Sequence, residues 1–130
     1  MTDNNIVRVG FDMDGTLDRP ALRNLAVVLA SIGISVHVIT GMFPEAEAPW
    51  QDEKAKREKF YDFDLGPHVQ LHIVRALPTS PTRNLDYVLR DLNLQKANLC
   101  RRLGISVMID DSHLADTMKA MCGATILRVL

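Results

Sequence analysis

The strongest constraint in this chain is a recurring joint in which a helical stripe runs into a glycine and then into a β-branched segment. The joint occurs at Gly33 before Ile34 to Ile39, at Gly104 before Ile105 to Ile109, and at Gly123 before Thr125 to Val129. Glycine reaches the left-handed backbone that ends a helix at no steric cost, so each joint predicts a helix feeding a strand. Ile6 to Phe11 predicts a first strand, and Val69, Leu71 and Ile73, alternating with Gln70 and His72, predict another with one less buried face. Leu22, Leu25, Ala26 and Leu29 fall at i, i+3, i+4 and i+7 and define one face of a helix, with Asp18 as its cap and Pro20 in its first turn. Ser80-Pro81 predicts the start of a helix carrying Leu85, Val88, Leu89 and Leu92, and Asn93 is read as capping a separate helix from Leu94 to Leu103. Leu114, Met118 and Met121 line a last one. This alternation predicts an α/β fold: a three-layer sandwich around a central, mostly parallel five-stranded sheet.

The 130 residues fit one domain spanning 1–130, and 47% apolar content supplies its core. Fifteen Lys and Arg against sixteen Asp and Glu leave a formal charge of -1, which gives no bulk attraction to nucleic acid or an acidic membrane. Cys100 and Cys122 are too few for a disulfide framework and read as small apolar groups. No basic patch followed by an apolar run marks a leader, and no apolar stretch approaches the roughly 20 residues of a membrane span. The expectation is a cytoplasmic protein with no membrane partner.

In an open parallel sheet, ligands sit outside the carboxyl ends of the strands. The polar residues predicted there are Asp12-Met13-Asp14-Gly15-Thr16 after strand one, Thr40-Gly41 after strand two, and Asp110-Asp111-Ser112 after strand four. Carboxylates gathered on one rim repel unless a cation lies between them, and all-oxygen ligation suits Mg²⁺. Lys96, read as the first turn of the helix before strand four, offers a compensating positive charge.

This arrangement resembles the haloacid dehalogenase-like (HAD) superfamily of phosphohydrolases. Asp12 to Leu17 matches the DxDGT motif, Thr40 the second motif, Lys96 the third and Asp110-Asp111 the fourth, in the family's order. The resemblance implies a Mg²⁺-dependent phosphatase, with Asp12 as nucleophile forming an aspartyl-phosphate and Asp14 as general acid and base. It implies that Asp12, Asp14, Asp110 and Asp111 hold the metal, and that Gly15, Thr40, Gly41 and Lys96 bind the phosphoryl group. The short links Leu17 to Pro20 and Leu77 to Ser80 leave no room for the family's cap domain, so the resemblance implies a capless HAD-like core with an open site. Such a site suits a phosphorylated substrate such as a nucleotide, a nucleic-acid end or another large phosphoester, or else needs a homo-oligomer to supply a lid.

Residues 42–68 break the pattern, with Pro44, Pro49 and Pro67 around nine charges between Glu45 and Lys59. Opposite charges four apart (Asp52 with Lys56, Glu53 with Arg57, Lys54 with Glu58) describe a solvated helix. The flanking Trp50, Phe60, Tyr61 and Phe63 describe instead a segment facing substrate, with Lys54, Lys56, Arg57 and Lys59 near phosphates. His37 and His72 read as packing or surface residues within strands, and His113 as a neighbour of the acidic rim. Two rival readings stand beside the phosphatase. One is a catalytically silent HAD-like binding or regulatory module; the other is a phosphorylatable receiver domain, whose adjacent acids belong after the first strand rather than at Asp110-Asp111.

Overall fold

A computed structural model describes residues 7–42, 51–52, 54–59, 69–75, 85–111 and 123–129. In chain order the elements are β1 (Arg8–Phe11), a π-helical turn (Met13–Leu17), α1 (Pro20–Ser31), β2 (Ser35–Met42), β3 (Val69–Arg75), α2 (Leu85–Leu103), β4 (Val107–Asp110) and β5 (Thr125–Arg128). The five strands form one sheet in the order β3-β2-β1-β4-β5, and every pairing is parallel. The expected α/β sandwich on a parallel sheet is therefore present, and no cap interrupts the described residues.

The helix–glycine–strand joints at Gly33 and Gly104 share one hydrogen-bond pattern. After α1, Gly33 N–H donates to Ala30 O (3.2 Å) and Ile34 N–H to Leu29 O (3.0 Å); after α2, Gly104 N–H donates to Arg101 O (3.2 Å) and Ile105 N–H to Cys100 O (3.0 Å). These paired bonds to the residues three and five back are a Schellman motif, whose glycine must be left-handed. Gly33 and Gly104 have φ of 92° and 70°.

Pleating sorts the core into two layers. Val9, Phe11, Val36 and Val38 face Ala26 of α1, while Ile39 and Met108 face Leu92, Ala97 and Cys100 of α2. Gly10, between Val9 and Phe11, leaves room for Met108: a Cβ there would lie 2.7 Å from its Sδ.

Three local expectations are corrected. The two helices expected around Asn93 are one continuous α2, with Asn93 buried inside it; its cap-like identity yields to the apolar stripe running through it. Lys96 consequently lies well inside α2 rather than in a first turn. Asp18 does not cap α1, whose N-cap is Arg19; instead Asp18 Oδ2 accepts from Gly15 N–H at 3.1 Å. The expected helix of Leu114, Met118 and Met121, together with Trp50, Phe60, Tyr61, Phe63, His113 and Cys122, lies outside the described residues.

Candidate functional site

The strand order reverses direction about β1, which has β2 on one side and β4 on the other. Ligands in open α/β sheets lodge at such a switch point, beyond the carboxyl ends of the strands. Register puts Phe11 opposite both Val38 and Ile109, and Asp12 N–H donates to Ile109 O at 2.8 Å. Asp12 therefore emerges beside Asp110, the last residue of β4, with Asp111 following. Carboxylate oxygens of Asp12, Asp110 and Asp111 lie within 4.8 Å of one another.

Lys96 enters this group from α2. Its Nζ donates to Asp12 Oδ1 at 2.7 Å and to Asp110 Oδ2 at 3.4 Å, and all three residues are at least nine-tenths buried. Burial pushes the Asp12 carboxyl up to about 8, with the Lys96 charge pulling it down and the neighbouring Asp110 pushing it up. Burial also works against the Lys96 ammonium, but Asp12 and Asp110 outweigh it and hold its pKa above the ordinary lysine value. The ammonium thus stays charged and holds together a cluster that would otherwise repel itself.

Gly15 closes the near wall. Its φ is 78°, and a Cβ there would fall onto the Asp111 carboxylate. Glycine is required at this position twice over, for the backbone and for the close approach. The Gly15 amide, expected to face a phosphoryl group, is taken by Asp18 in this structure.

Thr40, fully buried in β2, is addressed by a residue from the charged segment: Arg57 Nη1 donates to Thr40 Oγ1 at 2.7 Å and to Met13 Sδ at 3.0 Å. Residues 54–59 are helical, and Lys54 pairs with Glu58 at 3.7 Å on an exposed face. One face of this segment is therefore solvated, and Arg57 on another reaches the rim. In the sequence Arg57 is only one of four candidate cations, and the i,i+4 pattern that pairs it with Glu53 hides its longer reach. Gly41 turns to the opposite face from Thr40, where a Cβ would lie 3.2 Å from Leu92, so it serves α2 packing. Asp14 falls within the π-helical turn, and its side chain lies outside the described residues.

The donor set fits Mg²⁺. Three carboxylate oxygens converge, hard oxygen ligands suit this ion, and Gly15 leaves the approach to Asp111 open. Asp12, Asp110 and Asp111 would hold it, and Lys96 is the protein's own positive charge at the same carboxylates.

No protein-family model matches this chain. No curated protein matches it either. Among solved structures, one described as a universal stress protein in complex with cAMP matches 95% of this chain and 97% of its own, with a TM-score of 0.52 and 11% sequence identity. The fold is thus that of a Rossmann-like α/β protein with a parallel sheet, similar to a universal stress protein. This likeness overturns the resemblance to the HAD superfamily, which is a different superfamily. With it go the HAD-like label on the fold, the reading as a hydrolase, and the phosphatase roles of Asp12 as nucleophile and Asp14 as acid and base. The physical reason is that any open parallel sheet collects polar residues at its carboxyl edge. Short motifs at strand ends in the right order therefore follow from the architecture as well as from descent. Among the described residues, no helix is long and apolar enough to cross a membrane.

Proposed function

We propose that this chain is a binding or regulatory module that takes a phosphorylated ligand of the nucleotide class, together with Mg²⁺, at the carboxyl edge of β1, β2 and β4. The observation that carries the reading is a rim of mixed sign: a carboxylate trio suited to a hard cation beside Lys96 and the Arg57–Thr40 pair. A metal-bound phosphate needs both halves, oxygen ligands for the ion and charged donors for its own oxygens. The universal stress protein of similar fold is a complex with cAMP, which supports a nucleotide as the phosphorylated partner. Asp12, Asp110 and Asp111 hold the ion, while Arg57, Thr40 and Lys96 meet the phosphate. Calorimetric titration with cAMP, AMP and ATP, with Mg²⁺ and with chelator, tests this. The expected result is saturable binding of at least one nucleotide that Mg²⁺ strengthens, Asp110→Asn weakens, and from which the ligand is recovered unchanged. Absence of binding to all three, or binding indifferent to Asp110→Asn, would overturn it.

A further inference from the structure

On the α2 side of edge strand β3 lies a cavity of about 400 Å³ that shares no residue with the rim. Its lining is His72, Ile73 and Val74 from β3, and Gln95, Asn98, Leu99 and Arg102 from α2. The four helix residues fall at i, i+3, i+4 and i+7, so a single stripe of α2 faces the strand. Among the described residues of this lining, His72 and Arg102 are the ionisable side chains, and both are bases.

Arg102 and Asn98 both offer donors here. Arg102 makes no ion pair among the described residues. Asn98 Oδ1 is already engaged by Arg101 Nη2 at 3.3 Å, which leaves the NH₂ of its amide for another partner. His72 is held by a chain of bonds: Ser35 Oγ to His37 Nε2 at 2.9 Å, and His37 Nδ1 to His72 Nε2 at 3.1 Å. The two rings are nearly parallel, 22° apart, with centroids at 5.3 Å. Adding the two ring radii to the 3.1 Å nitrogen separation nearly accounts for that centroid distance, so the rings meet nitrogen to nitrogen, sharing one proton. This fixes the orientation of His72 and excludes a second proton from the shared edge. His72 Nδ1 has no partner among the described residues.

The charge of the site follows. Burial lowers the pKa of both histidines, and Arg8 adds to the effect at His37, so the pair is neutral at neutral pH. Among the described residues the cavity then carries one positive charge, on Arg102, beside the apolar side chains of Val74 and Leu99.

We propose that this cavity is a second ligand site, built for a small organic monocarboxylate whose carboxylate meets the Arg102 guanidinium and the Asn98 amide and whose apolar body lies against Val74 and Leu99. One fixed charge matches one carboxylate, and the planar guanidinium fork donates to it bidentately. Val74 and Leu99 offer an organic chain apolar contacts that a fully hydrated inorganic anion does not use.

The test uses butyrate as probe, with butyramide as its uncharged counterpart and inorganic phosphate as a second anion. Nuclear magnetic resonance follows the His72 ring nitrogens, the Asn98 side-chain amide and the Leu99 methyls. Butyrate should shift all three saturably, butyramide should not, and Arg102→Gln, a change at an exposed residue, should raise the butyrate Kd by about tenfold or more. No saturable shift at concentrations up to roughly 50 mM, equal response to butyramide or phosphate, or an unchanged Kd in folded Arg102→Gln would each overturn the proposal.

Discussion

Replacing Lys96 by methionine removes the ammonium that lies 2.7 Å from Asp12 and 3.4 Å from Asp110 while keeping most of the side-chain volume. Breaking a buried charge cluster by removing one partner costs about 3–5 kcal/mol, because the remaining charges keep their burial and lose their counter-charge. Asp12 escapes part of this cost by taking a proton, since burial already pushes its carboxyl up to about 8. Asp110 is fully buried and loses the same counter-charge. The expected loss is therefore near the lower bound, about 3 kcal/mol, which corresponds to a fall of about 1–2 M in the urea midpoint of a small domain. Urea unfolding at pH 7.5 with and without Mg²⁺ measures it. In the Lys96→Met chain the divalent ion no longer competes with an ammonium for the same oxygens, so Mg²⁺ should recover more stability than it adds to the unaltered chain. An ion at a hundred times its Kd contributes about 2.7 kcal/mol. Equal stability of the two chains within about 0.5 kcal/mol, or a variant indifferent to Mg²⁺, would refute the reasoning.

Gly15→Ala should cost about 1–2 kcal/mol for the left-handed backbone alone; because its Cβ falls on the Asp111 carboxylate, it should also weaken Mg²⁺ binding, read by calorimetry. An unchanged Mg²⁺ affinity would separate Asp111 from the cation site. Arg57→Met should weaken nucleotide binding about tenfold, with little effect on Mg²⁺ alone, since Arg57 bonds Thr40 and Met13 rather than the carboxylates. The histidine pair gives a pH dependence of definite sign. Both folded pKa values lie below the ordinary 6.5, so the unfolded chain binds protons first as acid is added. Their contribution to stability is complete above about pH 6.5 and is lost as pH falls through the lowered folded values. His72→Gln should flatten that slope in unfolding curves taken between neutral pH and pH 5, and an unaltered slope would remove the pair as its source.

The sheet was legible because its signals are local. β-branched runs, helical stripes and left-handed glycines act over a few residues, and the Schellman joints at Gly33 and Gly104 form where the sequence predicts them. The convergence of Asp12, Asp110 and Asp111 was legible too, because parallel strands send their carboxyl ends to one edge, whereas Lys96 reaches them from inside α2 rather than from the first turn the sequence suggests. What failed depended on tertiary context. Asn93 reads as a cap in isolation, yet packing of the stripe around it carries α2 straight through. Arg57 has a plausible local partner in Glu53, and only the folded chain brings Thr40 within 2.7 Å. The family resemblance failed for a different reason: strand-end acids are what an open α/β sheet presents whatever its ancestry, so motif order alone did not separate one family from another fold of the same architecture.

The central claim is that the carboxylate trio is a cation site completed by a nucleotide phosphate. Paramagnetic broadening by Mn²⁺, standing in for Mg²⁺, tests it most directly in the isotopically labelled chain. Broadening should centre on the amides of Asp12, Gly15, Asp110 and Asp111, extend to Thr40 and Arg57 when AMP or cAMP is added, and be abolished by Asp110→Asn. Broadening centred elsewhere, or broadening at the rim that neither nucleotide nor Asp110→Asn alters, would contradict it.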